Sequence, residues 1–158
     1  YFMSPGSRFG VEFLWCKYDT FTVSCELQVQ LNATGVGANK DKQRTGRIIF
    51  DIVNAGTNVK VYIENNGVRT LIRDISVNVT DQPFIWHYTK FVFDFETNQY
   101  IRLYFDNLVL DLGGVAGHET NSSIGQISAA VVNKYRSAFG VNYAGIGIDN
   151  LVITADEP

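Results

Sequence analysis

Apolar and polar residues alternate most regularly between residues 84 and 112. Phe91, Phe93 and Phe95 fall on one side of a period-two zigzag, and Ile101, Leu103 and Phe105 on one side of the next. The pattern predicts an antiparallel hairpin over 91–95 and 101–105 with one apolar face, joined through the polar stretch 96–99. Residues 108–112 continue it as a further short strand. Upstream, 8–16 and 21–31 alternate as strands, and Thr22, Ser24, Glu26, Gln28 and Gln30 mark a solvent-facing side. Residues 32–44, rich in Gly and Asn, read as an exposed loop. Strands resume over 46–53 and 59–64. Asn66-Gly67 suits a two-residue type I′ turn, which sets Glu64 across from Arg69 and Lys60 across from Arg73. Short strands follow at 68–72 and 75–79. Residues 113–126 are small and polar and read as a loop. Residues 127–135 fit a helical turn and a strand alike and are assigned strand, because everything around them is β. Residues 137–141 and 145–154 complete the chain.

About ten to thirteen short strands with scarcely any helix imply an all-β sandwich or barrel. Alternating faces favour two stacked antiparallel sheets in a single domain spanning 1–158. With 158 residues, 46% hydrophobic and 18% charged, the chain can bury a core without staples. A net charge of −3 with no Lys/Arg stripe argues against nucleic acid, and no apolar run is long enough for membrane insertion. The start at Tyr1 is expected to mark a processed or trimmed fragment, which leaves open a signal peptide or further domains. With a tight turn near 17–20, Cys16 would pair several residues short of Cys25, so two free thiols are expected.

The run WHYTKFVFDFETNQYIRLYFDNLVLDL, residues 86–112, resembles the central hairpin of the concanavalin A-like lectin/glucanase superfamily in its laminin G-like branch. Shared with that branch are the Trp-His start, an aliphatic strand ending in Asp, and the form Tyr-x-Arg-x-Tyr-x-Asp-Asn. Gly147-Ile148-Asp149-Asn150-Leu151-Val152-Ile153 is similar to the terminal strand of such jelly rolls. The resemblance covers about the last half of the chain. It implies a jelly-roll sandwich of an extracellular or periplasmic glycan-handling protein. It also implies a structural Ca²⁺ held by Asp149 and oxygens of the opening strands; the alternative for that carboxylate is a hydrogen bond to a neighbouring turn.

Glucanases of this superfamily carry Glu-x-Asp-x-x-Glu, since retention needs two carboxyls about 5 Å apart. The motif is absent, so the chain is read as leaning away from an enzyme. Asp94 and Glu96 come nearest to a same-face carboxylate pair. His87 is expected to be a satisfied core histidine, His118 lies in a loop, and Trp15 and Trp86 are assigned to the core. The sequons at Asn32, Asn78 and Asn121 have a chance origin or mark glycosylation. Tyr88, Lys90, Tyr100, Arg102 and Tyr104 alternate against the apolar set and are expected to share the outer face of the hairpin. Rings for stacking beside cationic donors suit carbohydrate, and a plain solvated surface is the alternative. The functional expectation is a noncatalytic carbohydrate-binding module of a secreted protein. A glycan hydrolase or lyase of the same fold and a protein-binding adhesion domain are the rivals.

Overall fold

The computed structural model describes residues 7–17, 25–34, 41–52, 58–77, 84–122, 127–135, 146–155 and 157. The expectations for 21–24, 53–57, 78–83 and 137–145, including the sequon at Asn78, lie outside these. Eleven strands are described: β1 (Arg8–Lys17), β2 (Cys25–Thr34), β3 (Lys42–Ile52), β4 (Asn58–Asn65), β5 (Val68–Ser76), β6 (His87–Asp94), β7 (Gln99–Phe105), β8 (Leu108–Ala116), β9 (His118–Asn121), β10 (Ile127–Tyr135) and β11 (Ile146–Ala155). They form two antiparallel sheets, one ordered β11-β1-β6-β7-β8, the other β10-β2-β3-β4-β5 with β9 also on β3. The protein is the all-β, two-sheet antiparallel sandwich expected of its alternation.

The sheets meet through the residues that the zigzags assign inward. Phe9, Val11, Phe13 and Trp15 from β1 and Phe91, Phe93 and Phe95 from the central hairpin bury against Leu27, Val29 and Leu31 of β2 and Ile48, Phe50 and Ile52 of β3. Phe93 packs edge-on against Phe95 and Tyr100, with ring centroids 5.0 and 5.1 Å away. Two glycines make room for it. A Cβ at Gly46 would lie 2.5 Å from the Phe93 ring, and one at Gly117 would lie 2.4 Å from it.

Several local readings change. β1 and β2 sit in different sheets and do not pair, so the cysteine register drawn from pairing them does not hold; the turn expected near 17–20 lies outside the described residues beyond Lys17. Cys16 and Cys25 are nonetheless not bridged to each other, as expected, and both are buried. β2 and β3 extend into the stretch expected to be a loop, and 113–121 is mostly strand, with β9 pairing Thr45 to His118 and Lys42 to Asn121. The Asn66-Gly67 turn has φ of 50° and 79°, matching type I′, and Glu64 does face Arg69. A bulge between Val61 and Tyr62 then slips the ladder, so Lys60 faces Asp74 instead of Arg73.

The most consequential correction is in β7. Phe91 pairs with Leu103 and Val92 with Arg102, but Phe93 pairs with Tyr100, so Ile101 is an extra residue. The bulge reverses the facing of everything before it. Tyr100, expected outside, is fully buried, while Ile101, expected in the core, is only half-buried.

Candidate functional site

On the hairpin's outer face, Tyr88, Lys90, Arg102 and Tyr104 do point away from the core, and Lys90 is the register partner of Tyr104. Two of them are occupied internally. The Tyr88 hydroxyl donates to Glu12 Oε2 at 3.1 Å, and Lys90 Nζ lies 2.8 Å from Glu157 Oε1 and 3.4 Å from Glu12 Oε2. Burial would lower the Lys90 pKa, but the hydrogen bond it donates to Glu157 and that carboxylate's charge, with Glu12, outweigh this and raise it. Burial and Glu12 together push Tyr88 upward. Arg102 donates to Tyr104 Oη at 3.0 Å, its guanidinium carbon 5.9 Å from that ring's centroid. Of the five residues expected to bind sugar, burial removes Tyr100 from this face, and Tyr88, Lys90, Arg102 and Tyr104 remain on it.

Other expectations resolve individually. His87 is buried between Trp15 and Phe105, with Nδ1 2.8 Å from Asp106 Oδ2, the satisfied core histidine anticipated. Trp15 is in the core and its indole N–H donates to Thr89 Oγ1 at 3.0 Å. Trp86, assigned to the core, is 42% exposed because β6 begins only at His87. Asp94 and Glu96 do not share a cleft. Asp94 is buried and accepts from the Glu96 and Thr97 amides, capping the hairpin turn. Burial alone would raise its pKa, and those donors together with Ser7 and Arg8 lower it. Asp149 lies on the exposed edge strand β11, and its Oδ1 accepts from the Asn150 amide at 2.8 Å. Among the described residues no group of three or more His, Cys, Asp or Glu is placed to hold a metal, so they offer an ion at Asp149 fewer than three such side chains.

A better-formed site lies on the outer face of the other sheet, where the alternating Glu26, Gln28 and Gln30 had suggested plain solvent exposure. Glu26 and Gln28 are buried at 3% and 5% exposure, although they point away from the core. Arg69 on β5 reaches Glu26 on β2, three strands away, with contacts of 2.8 and 3.1 Å. A flat sheet would hold those strands about 14 Å apart, so the two long side chains extend across β3 and β4 and cover this face. The hydrogen bond to Glu26, more than burial, sets the balance at Arg69 and raises its pKa. Arg47 donates from Nε and Nη2 to Gln30 Oε1 at 3.0 and 2.6 Å and pairs with Glu64 through Nη1. Thr45 and Gln30 both donate to Asn32 Oδ1, at 2.8 and 2.7 Å, which ties the first sequon into the same network.

The pocket in this face follows from how β3 changes partners. Its residues from Ile48 to Ile52 pair with β4, and those from Lys42 to Thr45 pair with β9 on the same edge. Between them β4 turns away at Asn66-Gly67, leaving a break in the ladder beside Arg47. A cavity of about 190 Å³ opens there, lined by Thr45, Arg47, Glu64, Asn66, Gly67 and His118. From the core side the break is filled by Tyr100. Its hydroxyl accepts from the Arg47 amide at 2.8 Å and lies 3.0 Å from the carbonyl oxygens of Arg47 and Glu64. Burial pushes the Tyr100 hydroxyl up to about 12. The pocket thus sets a guanidinium, a carboxylate, an amide, an imidazole and a hydroxyl around one small space. Sequence reasoning missed it because its walls come from β3, the β4–β5 turn and β9, which only the fold brings together. The one local signal was the run of alternating polar residues in β2.

No protein-family model matches the sequence, and no curated protein is similar to it. Among solved structures, a carbohydrate-binding module from Bacillus subtilis, CBM66, is similar with a TM-score of 0.48 and 13% identity. The likeness covers 97% of this chain and 78% of that one.

Proposed function

We propose that this chain is a noncatalytic carbohydrate-binding module of a secreted protein and that it takes a sugar unit in the pocket between β4 and β9. The observation that carries the reading is the convergence of donors and acceptors on a space of about 190 Å³. That is smaller than the roughly 300–1,000 Å³ of sites for drug-sized ligands and suits a single polar ring. Hydroxyl-rich ligands need fixed donors and acceptors at close quarters, and the internal bonds of Arg47, Glu64 and Gln30 fix them. The lining holds one carboxylate, Glu64, whereas glycoside hydrolysis uses two, which favours binding over catalysis. The second reading, a protein-binding domain, draws on the exposed apolar run Phe84, Ile85 and Trp86 at 61%, 47% and 42% exposure.

A glycan array on the purified domain tests the proposal, followed by titration of variants against the best binder. His118→Ala and Asn66→Gly are expected to weaken binding about tenfold each, the loss of one or two hydrogen bonds. Glycine keeps the positive φ of position 66, so the melting temperature should stay within a few degrees. Arg102→Ala and Tyr104→Ala are expected to bind as wild type. The reverse pattern would move the site to the hairpin face, and an array without binders would leave the protein-binding reading.

Calcium at Asp149 stands as a separate proposal. If an ion is held there, chelator and Asp149→Asn should each lower the melting temperature, and neither should add to the other. A melt unchanged by both removes the ion.

A further inference from the structure

We propose that Glu64 fixes the charge class of the ligand, so that the pocket accepts an uncharged sugar unit and refuses uronate or sulfated ones. The inference rests on the carbohydrate reading and narrows it. Glu64 is the group shared by the two cations of this face. One of its oxygens pairs with Arg47 Nη1, and the other lies 3.6 Å from Arg69 Nε. The remaining Arg69 nitrogens are held on Glu26, and the remaining Arg47 contacts go to the neutral amide of Gln30. The pocket lining therefore sets one guanidinium, Arg47, against one carboxylate, Glu64, and behind it Arg69 sits in the field of Glu26, Glu64 and Asp51.

Geometry reinforces the charge count. An acidic sugar is recognised best by an arginine that offers two parallel N–H donors to its carboxylate or sulfate. Both arginine forks here are already engaged on carboxylate or amide oxygens, and the Glu64 side chain is only 14% exposed. An anion entering beside it meets a half-desolvated carboxylate, a juxtaposition that like charges resist. Uncharged hydroxyls can instead donate to Glu64 and to Thr45 Oγ1 and accept from Arg47 and Asn66 without disturbing either pair. The basic groups next along β3, Lys42 and Arg44, share Glu119 at 3.3 and 2.8 Å, and neither lines the pocket.

Glu64→Gln preserves the shape, and the backbone carbonyl that faces Tyr100 is untouched. It would leave Arg47 and Arg69 in excess by one charge. The first arm of the test needs no sugar: sulfate is titrated while the amide resonances of Asn66 and His118 are followed. Wild type is expected to give no saturable shift, and Glu64→Gln to bind sulfate at least about tenfold more tightly. In the second arm, the glycan array of wild type should contain uncharged binders, while Glu64→Gln gains uronate- or sulfate-bearing ones. Saturable sulfate binding by wild type, acidic glycans among its best binders, or no gain of anion binding in a folded Glu64→Gln would each overturn the assignment. If the variant does not fold, the two wild-type measurements still decide it. Should wild type bind no glycan, the carbohydrate reading fails on the array, while the sulfate arm reports separately on Glu64.

Discussion

Phe93→Ala is expected to destabilise the domain by about 3–5 kcal/mol, the range for truncating a buried phenylalanine. The site has little means of collapsing. Phe93 is fully buried, and its ring touches Phe91, Phe95 and Tyr100. Gly46 and Gly117 approach it from the facing strand and from the crossing between sheets, and neither has a side chain that can move into the void. Chemical denaturation should show the loss as a lower midpoint with an unchanged slope. A loss below about 1 kcal/mol would mean that the neighbouring aromatics repack, contrary to the tight fit around both glycines.

Tyr100→Phe is the second large effect, about 2–3 kcal/mol, for a change of one oxygen atom. The ring contacts survive, but the Arg47 amide and two carbonyl groups lose their partner where the β4 ladder stops. A buried polar group left unsatisfied costs about 1–3 kcal/mol. The same hydroxyl gives the wild type an alkaline signature. Its pKa is raised by burial to about 12, whereas an unfolded tyrosine titrates near 10. Stability from keeping the hydroxyl protonated is therefore complete below about pH 10 and is lost as pH rises from there through the folded value. Denaturation of wild type at pH 9 and 11 should show a larger drop than Tyr100→Phe does, the remainder in the variant coming from groups such as Tyr88. An equal drop in both proteins would assign the alkaline sensitivity to other groups.

Tyr100 also marks the limit of what the sequence discloses. Strand identity was legible from alternation, and Asn66-Gly67 announced its own turn, because both depend on neighbours in the chain. The bulge at Ile101 does not. It reflects how β6 and β8 together accommodate β7, and one extra residue reverses which side chains face the core. Reading the hairpin without it sent Tyr100 outward and built a binding face around it. Sheet membership was equally hidden. Nothing local states that β1 and β2 part into opposite sheets, or that the polar side of β2 lies beneath Arg69. The pocket depends on β9, four residues drawn from a stretch whose small polar composition reads as loop. Its strand character comes from pairing with β3 and from the ion pairs of Glu119.

The two walls of the pocket differ in how they can open. The Arg47 amide is bonded to a hydroxyl anchored in the core, so its hydrogen should exchange with solvent only when the whole domain unfolds. The β9 wall, with His118, hangs on four register pairs to β3 and on the Glu119 contacts at the surface. Its amides should exchange through small local openings at a fraction of the global free energy. A ligand seated between them would slow exchange along β9 by closing its local openings, and would slow that of Arg47 only as far as it raises the free energy of global unfolding. The protein would thus register its ligand as the closing of one short strand against an edge that does not move.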